Sequence, residues 1–140
     1  MEPVIRRPGE GELIEKEHRK LFVKGSWEQM DFLEYEGGPD YEGAGPHFRK
    51  LHVDSFYVLE GELEFRTGDE VVIATADTFV LSPPGVVHSF RNAGTEPARL
   101  LNLHTPGGFI EYRRELMALH EQGIQPDEAF FERHDVFDPD

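Results

Sequence analysis

Cysteine is absent from the 140 residues of the sequence, which excludes a disulfide framework, a zinc ribbon and a cysteine nucleophile. The side chains left as strong metal ligands are His, Asp and Glu. The sequence also lacks an apolar run long enough to span a membrane. No apolar stretch follows the basic residues of the N-terminal segment MEPVIRRPGEGELIEKEHRK, so we expect no signal peptide and a cytoplasmic location.

Basic residues are few. The chain has 14 Lys and Arg against 28 Asp and Glu, which gives a formal net charge of -14. Nucleic acids and anionic membrane surfaces both bind basic patches, so neither is expected as a partner. The excess acid is typical of the solvated surface of a soluble protein. The length corresponds to about one domain, and 11 Phe supply bulky material for one core.

Up to about residue 105, short segments rich in β-branched and aromatic residues alternate with turn residues, which is the pattern of β-strands. Glu60-Gly61 and Gly68-Asp69 predict hairpin connections, because glycine accepts a positive φ. Strands at this spacing are typical of an all-β sandwich or barrel. The predicted strands are Glu12–Lys16, Lys20–Lys24, Gln29–Glu36, His47–Leu51, Ser55–Leu59, Glu62–Arg66, Glu70–Thr75, Thr78–Ser82, Val87–Arg91 and Ala98–His104.

After a Pro-Gly-Gly turn the hydrophobic pattern changes to a helical period. It predicts a helix over Phe109–Gln122, which Gly123 ends, and a second short helix that Pro126-Asp127-Glu128 opens. We therefore expect residues 1–108 to form a β-barrel with an N-terminal strand arm. Residues 109–140 are expected to form a helical tail that packs on the barrel.

Two segments carry polar residues at characteristic spacings, GPHFRKLHVDSFYVLEGELEF at 45–65 and PPGVVHSFRN at 83–92. Together they resemble the two signature motifs of the cupin family. The second signature, PxGxxHxxxN, is matched in full by Pro83, Gly85, His88 and Asn92.

The first cupin signature reads HxH, three or four residues, Glu, six residues and Gly, and this chain matches it in part. Gly61 closes the motif, which places Asp54 at the Glu position. Arg49 then stands at the second His position and His47 at the first. The spacing is kept, while two of the three ligand types differ.

The resemblance covers residues 45–92 in detail and, through the strand and turn pattern, residues 10–108. A PGGF turn followed by a helix also resembles the ending of single-domain cupins of the quercetin-dioxygenase type. The resemblance implies an all-β jelly-roll barrel with a short C-terminal helical tail and a functional site in the barrel interior.

In typical cupins both His and the Glu of the first motif join the His of the second around a divalent transition metal. The resemblance therefore implies His47 and His88 as ligands of Fe, Mn, Ni, Cu or Zn, with open positions for water, substrate or oxygen. Asp54 is a carboxylate one methylene shorter than Glu. The backbone or the metal must shift by about 1.5 Å, one C–C bond, for Asp54 to bind.

Arg49 cannot be a metal ligand, because a guanidinium is always charged and offers no lone pair. Either Arg49 turns away from the metal, or the metal is weakly bound or absent, since a fixed cation beside a divalent ion is unfavourable. In the second case Arg49 pairs with Asp54 or contacts an anionic ligand such as a carboxylate or a phosphate.

Two further histidines are candidates for the site. His52 lies two residues before Asp54, so in an extended strand both side chains share one face, and His52 either replaces the lost ligand or lies on the solvent-exposed rim. His104 ends the segment LLNLHTP and either lines the interior as a ligand-binding residue or is a hydrogen-bonded histidine at the strand end. The remaining histidines are expected on the surface: His18, His120 and His134.

Three functions are compatible with these residues. The first is a metal-dependent cupin that acts on or binds a small organic molecule, for example a dioxygenase-like oxidoreductase. The second is a metal-free ligand-binding or sensing cupin in which Arg49 contacts an anionic ligand. The third is a metal-independent isomerase or epimerase with His as the base. We also expect a homodimer, because small cupins commonly dimerise and the N-terminal arm Val4–Lys24 has strand-like segments with no partner identified within the chain.

Overall fold

The structure, a computed structural model, describes residues 2–15, 18–43 and 45–139. Strands precede helices along the chain. The strands of the described part are β1 (Glu12–Leu13), β2 (Arg19–Ser26), β3 (Asp31–Gly37), β4 (Val53–Glu60), β5 (Leu63–Thr67), β6 (Glu70–Ala74), β7 (Phe79–Ser82), β8 (His88–Asn92) and β9 (Ala98–Thr105). The helices are α1 (Phe109–Glu121) and α2 (Glu128–Arg133).

The strands form two antiparallel sheets. The larger sheet has the order β1-β2-β3-β9-β4-β7 and the smaller the order β6-β5-β8. Neighbours such as β3 and β9 lie far apart in the sequence, so the chain crosses between the sheets instead of forming a simple meander. This jelly-roll arrangement confirms the predicted all-β fold with a short helical tail.

Buried and exposed side chains alternate along the strands, so one face of each sheet contributes its side chains to a shared hydrophobic core. Phe56 and Val58 of β4 are buried there, together with Leu63 and Phe65 of β5. The ring centroids of Phe56 and Phe65 lie 5.0 Å apart, so side chains of the two sheets interlock. The core is aliphatic and aromatic, and its packing needs no bound ion.

One predicted strand is wrong. Residues 47–51 form no strand in the structure; His47 and Phe48 instead make isolated bridges to His88 and Phe137. These partners come from distant parts of the chain, so tertiary contacts hold the segment. The other predicted strands differ from the observed ones by at most three residues at an end, and Lys16, at the end of the first, lies outside the described residues.

The N-terminal arm finds its partners within the chain, which corrects the expectation that it lacks one. β1 pairs with β2, with Glu12 opposite Val23, and β2 pairs with β3. Ile14, which follows β1, is buried in the core. The arm is therefore the edge of the larger sheet, and a homodimer needs another surface.

The helical tail packs on the barrel through the same core. Phe109, Tyr112 and Leu116 of α1 belong to one hydrophobic cluster with the strand residues, as does Phe130 of α2. Asp127 caps α2, since its carboxylate accepts a hydrogen bond from Phe130 N at 2.9 Å. Across the part of the chain that the structure describes, no helix combines the length and apolar character needed to cross a membrane.

His134 corrects another expectation, because it is only partly exposed. Its Nε2 lies 2.7 Å from Glu115 Oε2, and its ring packs against those of Tyr112 and Phe130. The residue therefore joins α2 to α1 and does not lie freely on the surface. The two histidines exposed as expected are His18 and His120.

Candidate metal centre and barrel cavity

A cavity of about 730 Å³ opens between the strands of the barrel and the helical tail. Its walls combine titratable, cationic and aromatic side chains. The titratable group contains His47, Asp54, His88 and His104 and three solvent-exposed acids of the helical tail, Glu128, Glu132 and Asp138. The cationic group contains Arg19, Arg49 and Arg113. The aromatic group contains Tyr35, Tyr41, Phe56, Phe90, Phe109, Tyr112, Phe131 and Phe137.

Backbone pairing brings the two sequence motifs together. His47 N donates to His88 O at 3.2 Å, and His88 N donates to His47 O at 2.8 Å. The two ring centroids lie 4.5 Å apart. Gly85, at a φ of 86° in the turn of the second motif, donates its N–H to Arg49 O at 2.7 Å. Glycine accepts this φ without strain, so the turn holds the segment that carries His47 and Arg49.

Asp54 lies on β4 beside β9 and is buried, with 4% of its surface exposed. Its Oδ1 accepts a hydrogen bond from Asn102 Nδ2 at 2.7 Å, and its Oδ2 accepts one from His88 Nε2 at 3.0 Å. Burial would raise the pKa of the Asp54 carboxyl, but the neighbouring imidazoles and the Arg49 guanidinium outweigh burial and hold this pKa below its usual range. Asp54 is therefore ionised at neutral pH.

His47, Asp54 and His88 form a cluster whose ligand atoms all lie within 4.8 Å of one another. His47 Nδ1 donates to Gly45 O at 2.9 Å, and His88 Nδ1 donates to Val86 O at 3.0 Å. A metal-binding histidine commonly donates its other ring N–H to such an acceptor. His47 is thus left with Nε2 for a metal, whereas His88 Nε2 offers a lone pair only after it loses the proton that Asp54 Oδ2 accepts. Two imidazoles with one carboxylate suit a divalent transition ion.

A metal ion fits this cluster after a small contraction. Two ligands at about 2.1 Å from one ion lie at most about 4.2 Å apart. The widest pair of the cluster therefore has to close by no more than about 0.6 Å. Metal binding at His88 Nε2 would displace the proton that this atom donates to Asp54 Oδ2.

His47 has the protonation state that a ligand needs. Burial, followed by the nearby His88, lowers the pKa of His47 to about 4. The ring is therefore uncharged at neutral pH, and Nε2 carries a lone pair. Metal binding requires this neutral form of the imidazole.

Arg49 lies in the cavity wall, with 4% of its surface exposed. Its guanidinium carbon sits 5.4 Å from the centre of the Phe109 ring, a cation–π contact. Its Nε is buried without a hydrogen-bond partner among the described residues. The ion pair between Arg49 and Asp54, one of the alternatives from the sequence, does not form. The oxygens of Asp54 accept hydrogen bonds from His88 and Asn102 instead.

His104 of β9 is fully buried and faces the cavity. Its Nε2 donates to Asn102 Oδ1 at 2.8 Å, and its ring stacks on Phe109 with 3.8 Å between centroids. Burial, against the opposing effect of Asp54, lowers the pKa of His104 to about 3, so the ring is neutral at neutral pH. Its Nδ1 has no hydrogen-bond partner in the described structure. The two alternatives for His104 are therefore not exclusive: it is a hydrogen-bonded strand residue, and its side chain also lines the cavity.

His52 lies apart from the cluster, which corrects the expectation that it replaces the lost ligand. Its Nδ1 lies 2.6 Å from Asp135 Oδ2 and its Nε2 lies 3.0 Å from Gly107 O. Both ring nitrogens face acceptors outside the barrel interior, so neither offers a lone pair to a metal there. The same-face relation with Asp54 fails because β4 begins at Val53, and His52 belongs to the preceding loop.

Sequence reasoning missed two cationic residues of the cavity. Arg19 of β2 and Arg113 of α1 both pair with the carboxylate of Glu15. Arg19 Nη1 also donates to Tyr41 Oη at 2.8 Å. Burial lowers the pKa of Arg113 to about 10, so its guanidinium stays charged at neutral pH.

Asn102 was also missed, although it connects the buried polar groups. It donates to Asp54 Oδ1 and to Ser55 O, and it accepts from His104 Nε2. Its position two residues before His104 on one strand is the signal that could have found it, because alternate residues of a strand share a face.

The fold and the cluster together define a class of protein: a jelly-roll barrel whose interior cavity carries two histidines and an aspartate. Over residues 35–104 the chain matches the model of the Cupin domain family. The protein belongs to the cupin family.

Several known proteins are similar to this chain at low sequence identity. The chain is 24% identical over 127 residues to quercetin 2,3-dioxygenase of Bacillus subtilis (strain 168); the match covers 89% of this chain and 37% of that protein, so this chain spans little more than a third of the relative. The structure of TT1209 from Thermus thermophilus is 26% identical, with a TM-score of 0.60 and coverage of 66% of this chain and 88% of that one. An RmlC-like cupin from Shewanella frigidimarina NCIMB 400, 18% identical, has a TM-score of 0.64 with coverage of 73% and 89%, and shares the fold.

Proposed function

We propose that the protein binds one divalent transition metal at His47, Asp54 and His88 and that a small organic molecule binds, or reacts, in the cavity beside it. The observation that carries this proposal is the cluster itself, two imidazoles and an ionised carboxylate in the wall of an interior cavity. Fe, Mn, Ni, Cu and Zn all accept such ligands. The similarity to quercetin 2,3-dioxygenase makes a dioxygenase-type oxidation by a metal-dependent oxidoreductase the first reaction class to assay.

The residues around the cluster have distinct tasks in this proposal. A bound metal would supply Lewis-acid or redox chemistry. The carbonyls of Gly45 and Val86 orient the two imidazoles, and Asn102 orients the Asp54 carboxylate. The aromatic wall keeps bulk water away from a ligand in the cavity, which strengthens polar contacts inside it.

Metal loading tests the proposal directly. Protein stripped with a chelator, incubated with Mn, Fe(II), Ni, Cu or Zn in turn and then desalted, should retain about one equivalent of at least one metal by elemental analysis. Protein purified without added metal should carry the same ion. Retention of none of the five would exclude the metal centre.

Arg49→His should strengthen metal binding, because it restores an imidazole at a ligand position and removes a fixed cation from the cavity. We expect a rise in affinity of about tenfold or more, which corresponds to about 1.4 kcal/mol. Competition with a chromogenic chelator measures it. Arg66→His, on the exposed side of β5, is the matched control and should bind metal as the natural protein does. An unchanged affinity for Arg49→His would mean that residue 49 does not reach the ion.

A metal-free ligand-binding cupin is the second candidate, and one observation favours it. Arg49 stands where the family has a histidine, and its guanidinium has no carboxylate partner in the described part of the chain. In this case an anionic ligand contacts Arg49 and the imidazoles line the pocket. The loading experiment separates the two candidates, since only the first predicts retained metal.

We also propose that the protein is a homodimer formed through the outer face of the larger sheet. Tyr57 of β4 and Phe79 and Leu81 of β7 are exposed on neighbouring strands. Tyr57 and Phe79 line an apolar groove that also contains Phe32, Leu101 and Leu103. A monomer rarely exposes a contiguous apolar patch, and a second copy of the same face would bury it in an isologous contact.

Light scattering tests the dimer. At tens of micromolar protein, an order-of-magnitude choice for stable association, the mass should be twice the 16.0 kDa of the chain. Phe79→Glu should halve it, because it places a charge in the apolar face. Val71→Glu, at an exposed valine of the smaller sheet, should leave the dimer intact. A single-chain mass for the natural protein would contradict the proposal.

A further inference from the structure

Two buried guanidiniums of the cavity have unused hydrogen-bond donors. Arg49 and Arg113 are exposed by 4% and 9%. The Nε of each lacks a hydrogen-bond partner among residues 2–15, 18–43 and 45–139. A buried donor without an acceptor is unfavourable, and Arg49, unlike Arg113, also has no carboxylate partner among these residues, which raises the cost of burying its charge. Both side chains line the same cavity, so an acceptor placed there would relieve this cost.

Positive charge exceeds negative charge at the inner end of the cavity. Arg19 and Arg113 share the single carboxylate of Glu15. Asp54 accepts from His88 and Asn102, which leaves Arg49 without a carboxylate in the described structure. A divalent metal at the proposed centre would add to this excess.

The other acids that line the cavity are exposed to solvent and form no ion pair with these arginines in the described part of the chain. Glu128, Glu132 and Asp138 line the cavity from the helical tail and are exposed to solvent. Water and salt screen exposed charges of this kind. The chain as a whole is strongly acidic, at -14, so three inward arginines are a local reversal of its charge.

Each of the two guanidiniums lies against an aromatic ring, and the two rings are neighbours. Arg49 lies over Phe109 at 5.4 Å, and Arg113 lies 5.8 Å from the centre of Tyr112. The rings of Phe109 and Tyr112 are themselves 5.9 Å apart, and His104 stacks on Phe109. A flat apolar body can pack on such a wall while its charged end reaches a guanidinium.

We propose that the ligand of this cavity is an aromatic carboxylate, with the carboxylate at Arg49 and the aromatic body against Phe109 and Tyr112. The inference deepens the proposed function, since it rests on the cavity beside the metal centre being the ligand site. A carboxylate accepts two parallel hydrogen bonds from a guanidinium, which is the geometry that an unpartnered Arg49 offers. The volume of about 730 Å³ admits a ligand of this size.

Matched acid and amide probes test the inference. Benzoate, 3-phenylpropionate and cinnamate, each paired with its neutral amide, are titrated calorimetrically into chelator-treated protein and into metal-loaded protein. At least one acid should bind, and its amide should bind at least about 30-fold more weakly, the loss expected when one partner of a buried charge pair is removed. Equal binding of acid and amide, or binding of inorganic phosphate alone, would overturn the inference, as would no binding of any acid.

Substitutions of Arg49 test whether this residue causes the difference in affinity between each acid and its amide. Arg49→Gln should lose at least about 30-fold in affinity for the acid and leave the amide unchanged, while Arg49→Lys should recover part of the loss. Arg66→Gln, an exposed arginine on β5, should bind as the natural protein does. Circular dichroism confirms that each variant is folded. An Arg49→Gln protein that still distinguishes acid from amide would exclude Arg49 as the anchor.

The two proposals fail independently. If chelator-treated protein distinguishes acid from amide through Arg49 but retains no metal, the carboxylate site stands and the metal centre does not. If metal binds but Arg49→Gln leaves the discrimination unchanged, the metal centre stands and the carboxylate site does not.

Discussion

The double variant His47→Ala with His88→Ala should lose stoichiometric metal and remain folded. Both imidazoles are ligands of the proposed centre, and their loss leaves only the Asp54 carboxylate. Removing a residue that hydrogen-bonds to a metal ligand typically weakens metal affinity by about 10–100-fold. Removing two ligands themselves should therefore weaken metal affinity by more than about a thousandfold. Elemental analysis after desalting measures the change.

The fold should survive this double substitution because the core consists of aliphatic and aromatic side chains. Thermal unfolding followed by circular dichroism should stay cooperative. The control is His18→Ala with His120→Ala, which removes two exposed histidines and should leave metal content unchanged. Retained metal in the first variant would mean that the ion sits elsewhere, and an unfolded variant would mean that the imidazoles are structural.

Asp135→Ala should have the largest effect on stability, because one carboxylate holds an entire loop. Its two oxygens accept from the backbone N–H groups of Lys50, Leu51 and His52 at 2.9–3.1 Å. They also accept from the His52 ring at 2.6 Å. Hydrogen bonds to a charged group are worth about 1.5–3 kcal/mol each, and they are not additive, so we expect the free energy of unfolding to fall by about 3–4 kcal/mol.

The backbone conformation of Asp135 is a second reason to expect that Asp135→Ala lowers the free energy of unfolding. Its φ is 62°, a conformation that Asp and Asn tolerate better than Ala. Asp135→Asn keeps this tolerance and one oxygen acceptor, so it should be destabilised less than Asp135→Ala. Urea unfolding measures both, with Asp69→Ala, at an exposed turn, as the control that should change little. Equal stability of Asp135→Ala and the natural protein would show that the loop has no need of this anchor.

The same carboxylate predicts a dependence on pH. Burial would raise the pKa of Asp135, but the bonds from His52 and from the loop backbone outweigh it, and the folded pKa lies below the ordinary Asp value. Its contribution to stability is therefore fully present above the unfolded pKa of about 4 and is lost as the pH falls through the folded pKa. Asp135→Ala should lack this part of the acid-induced loss.

Sequence reasoning reached the cluster of His47, Asp54 and His88 through the spacing of the two cupin motifs. His47, Asp54 and His88 were placed by counting from Gly61 and Pro83, and the structure puts their ligand atoms together. His52 was misplaced because the strand containing Asp54 starts one residue later than the alternation argument needs. What fixes His52 is Asp135, 83 residues away, and no local pattern reports such a partner.

Arg113 was missed for a different reason. Phe109, Tyr112, Arg113 and Leu116 follow the i, i+3, i+4, i+7 spacing of one helix face, and all are buried. The apolar residues of this face predict that it packs against the barrel. Because Arg113 lies on the same face, its position indicates a cation that points inward. Its carboxylate partner, Glu15, lies in the N-terminal arm and has no sequence relation to the helix.

The loop over residues 47–52 has a consequence for the order in which the molecule is assembled. Lys50 leaves the ribosome 85 residues before the carboxylate that anchors it. At about 5–20 residues per second, this interval lasts roughly 4 to 17 s. The hairpin of β5 and β6 closes over a short distance and can form within that time. Until Asp135 is synthesised, His47 and Arg49 are held by their backbone bonds to His88 and Gly85, while the backbone N–H groups of residues 50–52 lack their acceptor. The loop beside the cavity is therefore completed after the strands.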